Sequence, residues 1–241
     1  MRFNSDQIQK IGKEISNKVD GKTLFDEFSR GRYSTDASVY QIKPLGVVLP
    51  KDTNDVLNLM EYSQKNSIPL LARGGGSSQC GQTVGESVVL DYSKHQNKIL
   101  ELNVEEKYVW VQPGVVLDHL NSFLRPYGLW FPVDVSTSSR ATIGGMSANN
   151  SCGSRSLYYG NMVHNVLAIE AILDDGSLHT FDQINKNYLT TTNNQDRFYK
   201  IIDKFLHLRQ KVSKDIDENW PTTQRRVGGY NIDLIDPNGF N

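Results

Sequence analysis

Arg73-Gly74-Gly75-Gly76-Ser77-Ser78-Gln79-Cys80-Gly81-Gln82 and Thr142-Ile143-Gly144-Gly145-Met146-Ser147-Ala148-Asn149-Asn150-Ser151-Cys152-Gly153 are the two stretches on which the reading of this chain turns. Glycine costs chain entropy and is used where the backbone needs positive φ or where something must come close to it. Two such clusters in one chain imply one extended ligand lying on bare peptide, and a dinucleotide has that shape. The first cluster follows Ile68-Pro69-Leu70-Leu71-Ala72, an apolar run whose length and flanking residues suit a buried strand. A glycine turn leaving a strand can aim successive N–H groups at one point, an anion nest suited to a pyrophosphate, and Ser77 and Ser78 add hydroxyl donors.

Two common phosphate loops are excluded. Gly74-x-Gly76 is followed by Gln79 where the nicotinamide-type fingerprint needs a third glycine, and no apolar helical repeat starts there. A Walker loop needs Gly-Lys-Ser/Thr, and no lysine stands between Lys65 and Lys94.

Outward from the glycine segments the pattern is α+β. Ile8, Ile11 and Ile15 lie at helix spacing in an N-terminal helical arm, residues 1–39. From Gly46 the order is strand, helix, strand: Thr53 is the expected N-cap, Val56, Leu57 and Met60 the apolar face, and Asn66 with Pro69 the stop. Crossover handedness makes the strands at Gly46 and Ile68 parallel neighbours, and Ser87 to Asp91 is a third strand. A second unit starts near Val109-Trp110-Val111, with Val116, Leu117, Leu120 and Leu124 as a helical stripe ending by Gly128. Asp174-Asp175-Gly176 between two apolar runs signals a hairpin, and Phe198, Ile201, Ile202, Phe205 and Leu208 a further helix. The expected units are subdomain 1, residues 40–100, and subdomain 2, residues 101–241, with the ligand in the groove between them.

A net charge of −1 over 241 residues argues against a general binder of nucleic acid or anionic membrane, which needs a basic excess. No apolar run approaches bilayer length and Met1 to Asp6 lacks a signal-peptide core, so the expected location is cytoplasmic. Cys80 and Cys152 read as small reduced loop residues, with a redox-sensitive pair as the alternative. The five histidines show no metal-ligand spacing; no metal site and no catalytic residue is assigned.

The ordered set of motifs resembles the flavin-binding domain of the vanillyl-alcohol oxidase and p-cresol methylhydroxylase family. The match is carried by Arg32-Tyr33-Ser34-Thr35-Asp36-Ala37-Ser38, Gly46-Val47-Val48-Leu49-Pro50, the first glycine segment, Val89-Leu90-Asp91, Val111-Gln112-Pro113-Gly114, the second glycine segment, Tyr159-Gly160 and Leu173-Asp174-Asp175-Gly176. Within the family the chain is most similar to D-lactate, glycolate and D-2-hydroxyglutarate dehydrogenases. Phe131-Pro132-Val133-Asp134-Val135-Ser136 further resembles long enzymes fused to an iron–sulfur module.

The resemblance implies a PCMH-type FAD-binding fold of two α+β subdomains. It puts Gly74, Gly75, Gly76, Ser77 and Ser78 around the FAD pyrophosphate, with Gly81 and Gln82 closing the same loop and Arg73 among the cofactor-binding residues. It puts Pro132, Asp134, Ser136, Thr142, Gly144, Gly145, Ala148, Asn149, Ser151 and Gly153 along the other side, with the Ile169 backbone at the adenine end and Tyr159 and Gly160 also among the cofactor-binding residues. Members that hold flavin covalently through this loop carry histidine where Ser77 stands, so FAD here is expected to be non-covalent. The implied reaction is oxidation of a small-molecule 2-hydroxy acid, with hydride accepted at flavin N5. Electrons would pass to an acceptor or an iron–sulfur module. The resemblance also implies that the C-terminal substrate or cap domain is absent, together with the family's active-site histidines, iron–sulfur clusters and divalent metal. This chain alone is therefore expected to be inactive, and the complete protein is expected either in the cytoplasm or peripheral to the inner face of the membrane. Gly228-Gly229-Tyr230 reads as an exit segment, with Arg226 and Tyr230 as candidates for the substrate side. Other readings stay open: an enolpyruvyl sugar-nucleotide reductase or carbohydrate oxidase on the same fold, or a non-catalytic nucleotide-binding domain.

Overall fold

The computed structural model describes residues 3–185, 187–188, 196–223, 225–226, 230–235 and 239–240. Four strands form the first sheet: β1 (Lys22–Leu24), β2 (Gly46–Leu49), β3 (Leu70–Arg73) and β4 (Val88–Asp91). Their order is β1-β2-β4-β3, with β1 antiparallel to β2 and the other neighbours parallel. The strands expected to be adjacent, β2 and β3, are therefore parallel but separated by β4. Burial explains this: all four residues of β4 are buried, so both its faces and both its edges belong inside, whereas β3 is only partly buried and takes the edge.

The sheet is covered on two sides by alternate residues of its strands. Val48, Val88 and Leu90 pack with Ile8, Ile11 and Ile15 of α1 (Ser5–Ser16) and Val56, Leu59 and Tyr62 of α3 (Thr53–Asn66). Val47, Leu49 and Val89 face the opposite way, against Leu24, Tyr33 and Leu71. The segment expected as an N-terminal arm is thus built into this core, with α1, β1 and α2 (Glu27–Arg32) all preceding β2. In α3 the cap is Asp52, not Thr53, accepting from the N–H groups of Asn54 and Asp55. Leu59 and Tyr62 complete its buried face, while Leu57 and Met60 stay half-buried.

The second part of the chain starts with the hairpin β5 (Ile99–Asn103) and β6 (Tyr108–Val111), followed by α4 (Leu117–Leu124). Leu117, Leu120 and Leu124 are buried as the stripe predicts, and Gly128 ends the segment at φ +70°. Two short helices, α5 (Ile143–Ala148) and α6 (Ser156–Tyr159), carry the second glycine segment. Asp174-Asp175-Gly176 turns between β7 (Ile169–Ile172) and β8 (Leu178–Phe181), with Gly176 at φ +83°. β9 (Ile184–Asn185) pairs with β10 (Gly239–Phe240), and α7 (Arg197–Lys211) and α8 (Ser213–Asn219) lie between them in the chain. Gly228 and Gly229 lie outside the described residues. Among the described residues no helix is long and apolar enough to cross a membrane.

Candidate functional site

The two glycine segments meet. Gly74, Gly75, Gly76, Ser77, Ser78 and Thr83 form one wall of a groove of about 140 Å³; Val135, Thr137, Ala141, Thr142, Gly145, Met146, Asn149 and Ser151 form the other. None of these side chains is charged.

Gly74 and Gly75 let the walls join. A β-carbon on Gly74 would collide with Thr142 Oγ1, and one on Gly75 with the Arg140 carbonyl. Gly144 is equally constrained by the protein, its virtual β-carbon falling 2.6 Å from Pro113 Cβ, and Gly153 packs on Asp134. Gly145 differs. Its virtual β-carbon meets a single atom within 4 Å among the described residues, Thr142 Oγ1 at 3.2 Å, and its φ is not positive, so none of the described residues demands a glycine there. The bare space beside Gly145 is the groove itself.

The walls also differ in their hydrogen bonds. In the second glycine segment most N–H donors are committed: Ile143 N–H to the Val115 carbonyl at 2.8 Å, Gly144 N–H to Pro113 at 2.9 Å, and Ser151 N–H to Met146 at 2.9 Å. Asn149 N–H donates to Gly145 at 3.2 Å, and Thr142 Oγ1 accepts from Gly145 N–H at 3.4 Å. On the first wall the N–H groups of Gly74, Gly75, Gly76, Ser77 and Ser78 have no acceptor among the described residues. Five successive free donors in one loop can bind an anion.

The first wall is held from behind. Ser78 Oγ bonds Gln82 Oε1 and accepts from Cys80 N–H, closing the loop on itself. Gly81, at φ +72°, rests on the Tyr40 ring, and Thr83 Oγ1 donates to Asp36 at 3.1 Å. Asp36 lies below the usual carboxylate range: partial burial pushes it up, but the hydrogen bonds from Ser38 and Thr83 outweigh that.

Several expected residues stand outside the groove. The Arg73 guanidinium donates to the carbonyls of Tyr33, Thr35 and Thr83 rather than lining the cavity. Asp134 accepts from Ser154 Oγ at 2.8 Å and Arg155 N–H at 2.9 Å; burial raises its carboxyl, and these bonds bring it below its ordinary value. Ser136 is exposed in the turn before the groove, and Ala148 ends α5 without entering it. Tyr159 packs edge-on to Trp130 at 5.1 Å, Gly160 turns at φ +78° over His164, and Ile169 pairs with Phe181 in the β7–β8 hairpin. Arg226 is paired with Asp233, and Tyr230 is 94% exposed. Conversely, Thr83, Val135, Thr137, Ala141 and Met146 line the groove without having been singled out from the sequence. Met146, directly after Gly145, had the clearest signal.

A larger hollow of about 280 Å³ lies among Leu102, Tyr108, Leu124, Leu129, Trp130 and Phe131 and reaches Pro132. Its lining residues are mostly apolar but expose polar and apolar surface in equal measure, Lys107 is the one charged residue among those described, and it lacks the row of free N–H groups found along the groove.

Residues 44–182 match the model of a family described as FAD binding domain. The chain is 36% identical to D-2-hydroxyglutarate dehydrogenase of Haemophilus influenzae over 83% of its own length and 20% of that protein's. It is 34% identical to the glycolate oxidase subunit GlcD of Bacillus subtilis over 71% of its length and 37% of that protein's. Among solved structures, 6-hydroxy-D-nicotine oxidase from Arthrobacter nicotinovorans superposes with a TM-score of 0.61 at 16% identity, covering 68% of this chain and 36% of that one, a likeness of fold. The chain spans about a fifth of the length of the D-2-hydroxyglutarate dehydrogenases it matches.

Proposed function

The chain belongs to the FAD binding domain family and has the PCMH-type fold of FAD-binding oxidases, and from that premise we propose that it is the flavin-holding part of a dehydrogenase or oxidase of 2-hydroxy acids. The observation that carries the reading is the row of five N–H groups from Gly74 to Ser78 that have no acceptor among the described residues, on a loop that lines one groove with the second glycine segment.

The residues present fit FAD. A pyrophosphate takes neutral, fixed donors well, and the nest supplies them at no cost in reorganisation. Gly145 leaves the opposite wall open where a side chain would project into the groove. Ser77 presents a hydroxyl and no imidazole, so it offers no nitrogen for a covalent link to flavin. At about 140 Å³ the groove accommodates the middle of the dinucleotide, with its ends lying beyond. Bound FAD supplies a hydride acceptor. This chain's residues supply position: Thr142, capping α5, and Gly74 lock the two walls together, and Asp134 pins residues 154 and 155 at the end of the second segment.

The substrate class rests on the relatives, D-2-hydroxyglutarate dehydrogenase and glycolate oxidase among them. Anaerobic mixing of the FAD-loaded, full-length protein with D-2-hydroxyglutarate, D-lactate and glycolate tests it: rapid bleaching of flavin absorbance by one of these acids is expected. Absence of bleaching with all three, in protein that holds flavin, would refute the substrate class.

A further inference from the structure

Arg73 leaves β3 into the donor loop, yet its guanidinium folds back beneath that loop. Nη2 donates to the Thr35 carbonyl at 2.9 Å, and Nη1 to the carbonyls of Thr83 at 3.2 Å and Tyr33 at 3.4 Å. Its Cζ stands 5.2 Å from the Tyr33 ring centroid. Gly76 rests directly on it: a β-carbon there would come within 2.5 Å of Nη2 and 3.0 Å of Cζ. All three acceptors are neutral, and no carboxylate pairs with this guanidinium among the described residues.

A unit positive charge is thereby held against the loop of free N–H groups, outside a groove whose described lining carries no charge. Arg73 is half-buried, and the acceptors its guanidinium meets are carbonyls, which leave its charge unopposed. We propose that Arg73 is the positioning residue of the anion nest: its three carbonyl contacts tie segment 33–35 and Thr83 to the loop, and its charge draws a pyrophosphate into the nest without touching it. The inference rests on reading the groove as a phosphate site and adds the residue that makes it one.

ADP and adenosine differ only in the pyrophosphate, so calorimetric titration of the protein with each isolates this effect. Arg73→Met should weaken ADP binding about tenfold or more, a loss of at least about 1.4 kcal/mol, and adenosine binding by less than about twofold. Arg73→Lys keeps the charge but not the planar fork, and should recover part of the preference for ADP. In the wild type that preference should shrink as salt rises, and in Arg73→Met the salt dependence should flatten. Equal losses for both ligands, or an unchanged ADP preference in Arg73→Met, would overturn the proposal. Should Arg73→Met fail to fold, a wild-type ADP preference insensitive to salt overturns it equally. Wild-type protein that binds neither ADP nor FAD would instead refute the reading of the groove, which keeps the two failures apart.

Discussion

Replacing Gly145 with alanine adds one methyl group to α5, and the surroundings of that position fix the consequences. Among the described residues the new carbon meets only Thr142 Oγ1, at 3.2 Å, and the backbone is not in the left-handed region, so the cofactor-free fold has little to lose. Alanine is the better helix former by roughly 0.5–1 kcal/mol, which places the variant's unfolding free energy level with the wild type or slightly above it. The groove, however, loses the space the methyl takes, and forcing a ligand against an added methylene costs about 1–3 kcal/mol, roughly a 5- to 150-fold loss of FAD affinity. Gly145→Val should lose more. Gly144→Ala is the control: its methyl would fall 2.6 Å from Pro113 Cβ and 3.0 Å from the Pro113 carbonyl oxygen, so it should destabilise the cofactor-free protein by about 1–3 kcal/mol. Urea unfolding of the cofactor-free variants and FAD titration of each give the two numbers. Unchanged FAD affinity in both Gly145 variants, or Gly145→Ala as unstable as Gly144→Ala, would refute the division between glycines the protein needs and the glycine the ligand needs.

Flavin should come off in the supernatant on acid precipitation, because Ser77 offers no attachment point; a yellow pellet would contradict this. Asp55, 3% exposed, accepts from the N–H groups of Asp20, Gly21 and Lys51, so Asp55→Ala should strand three donors and lower the urea-unfolding free energy by roughly 3 kcal/mol or more. Tyr33 is pushed up to about 12 by burial and then by its hydrogen bond to Asp91, and Tyr92 to about 12 by burial alone. Both ionise near 10 when unfolded, so their raised folded values contribute stability that is complete below about pH 10 and lost as pH climbs towards 12. Tyr33→Phe and Tyr92→Phe should each flatten alkaline unfolding in that window; a fall as steep as the wild type's would count against it.

What could be read from residues alone was whatever local chemistry determines. The Leu117, Leu120 and Leu124 stripe, the Asp-Asp-Gly hairpin and the helix from Phe198 follow from period and turn type, which act over a few neighbours. Strand order did not follow, because the position of β4 between β2 and β3 depends on burial of both its faces, and an apolar run of four residues does not say which strands flank it. Asp52 and Thr53 are both good caps, and only the backbone angle at Asp52 separates them. At the groove, composition announced glycines without saying which serve packing. Gly74 and Gly75 meet Thr142 and Arg140 across a long sequence separation, contacts that no local pattern encodes. Arg73 likewise sits in a motif that points at the ligand, while its side chain turns away to three carbonyls.

The central claim is that the two glycine segments form one FAD site, and equilibrium titration of the cofactor-free protein with FAD, with NAD as competitor, tests it most directly. After free flavin is removed, the account predicts one FAD retained per chain, undiminished by excess NAD. Protein that stays colourless, or flavin that NAD displaces, would contradict it.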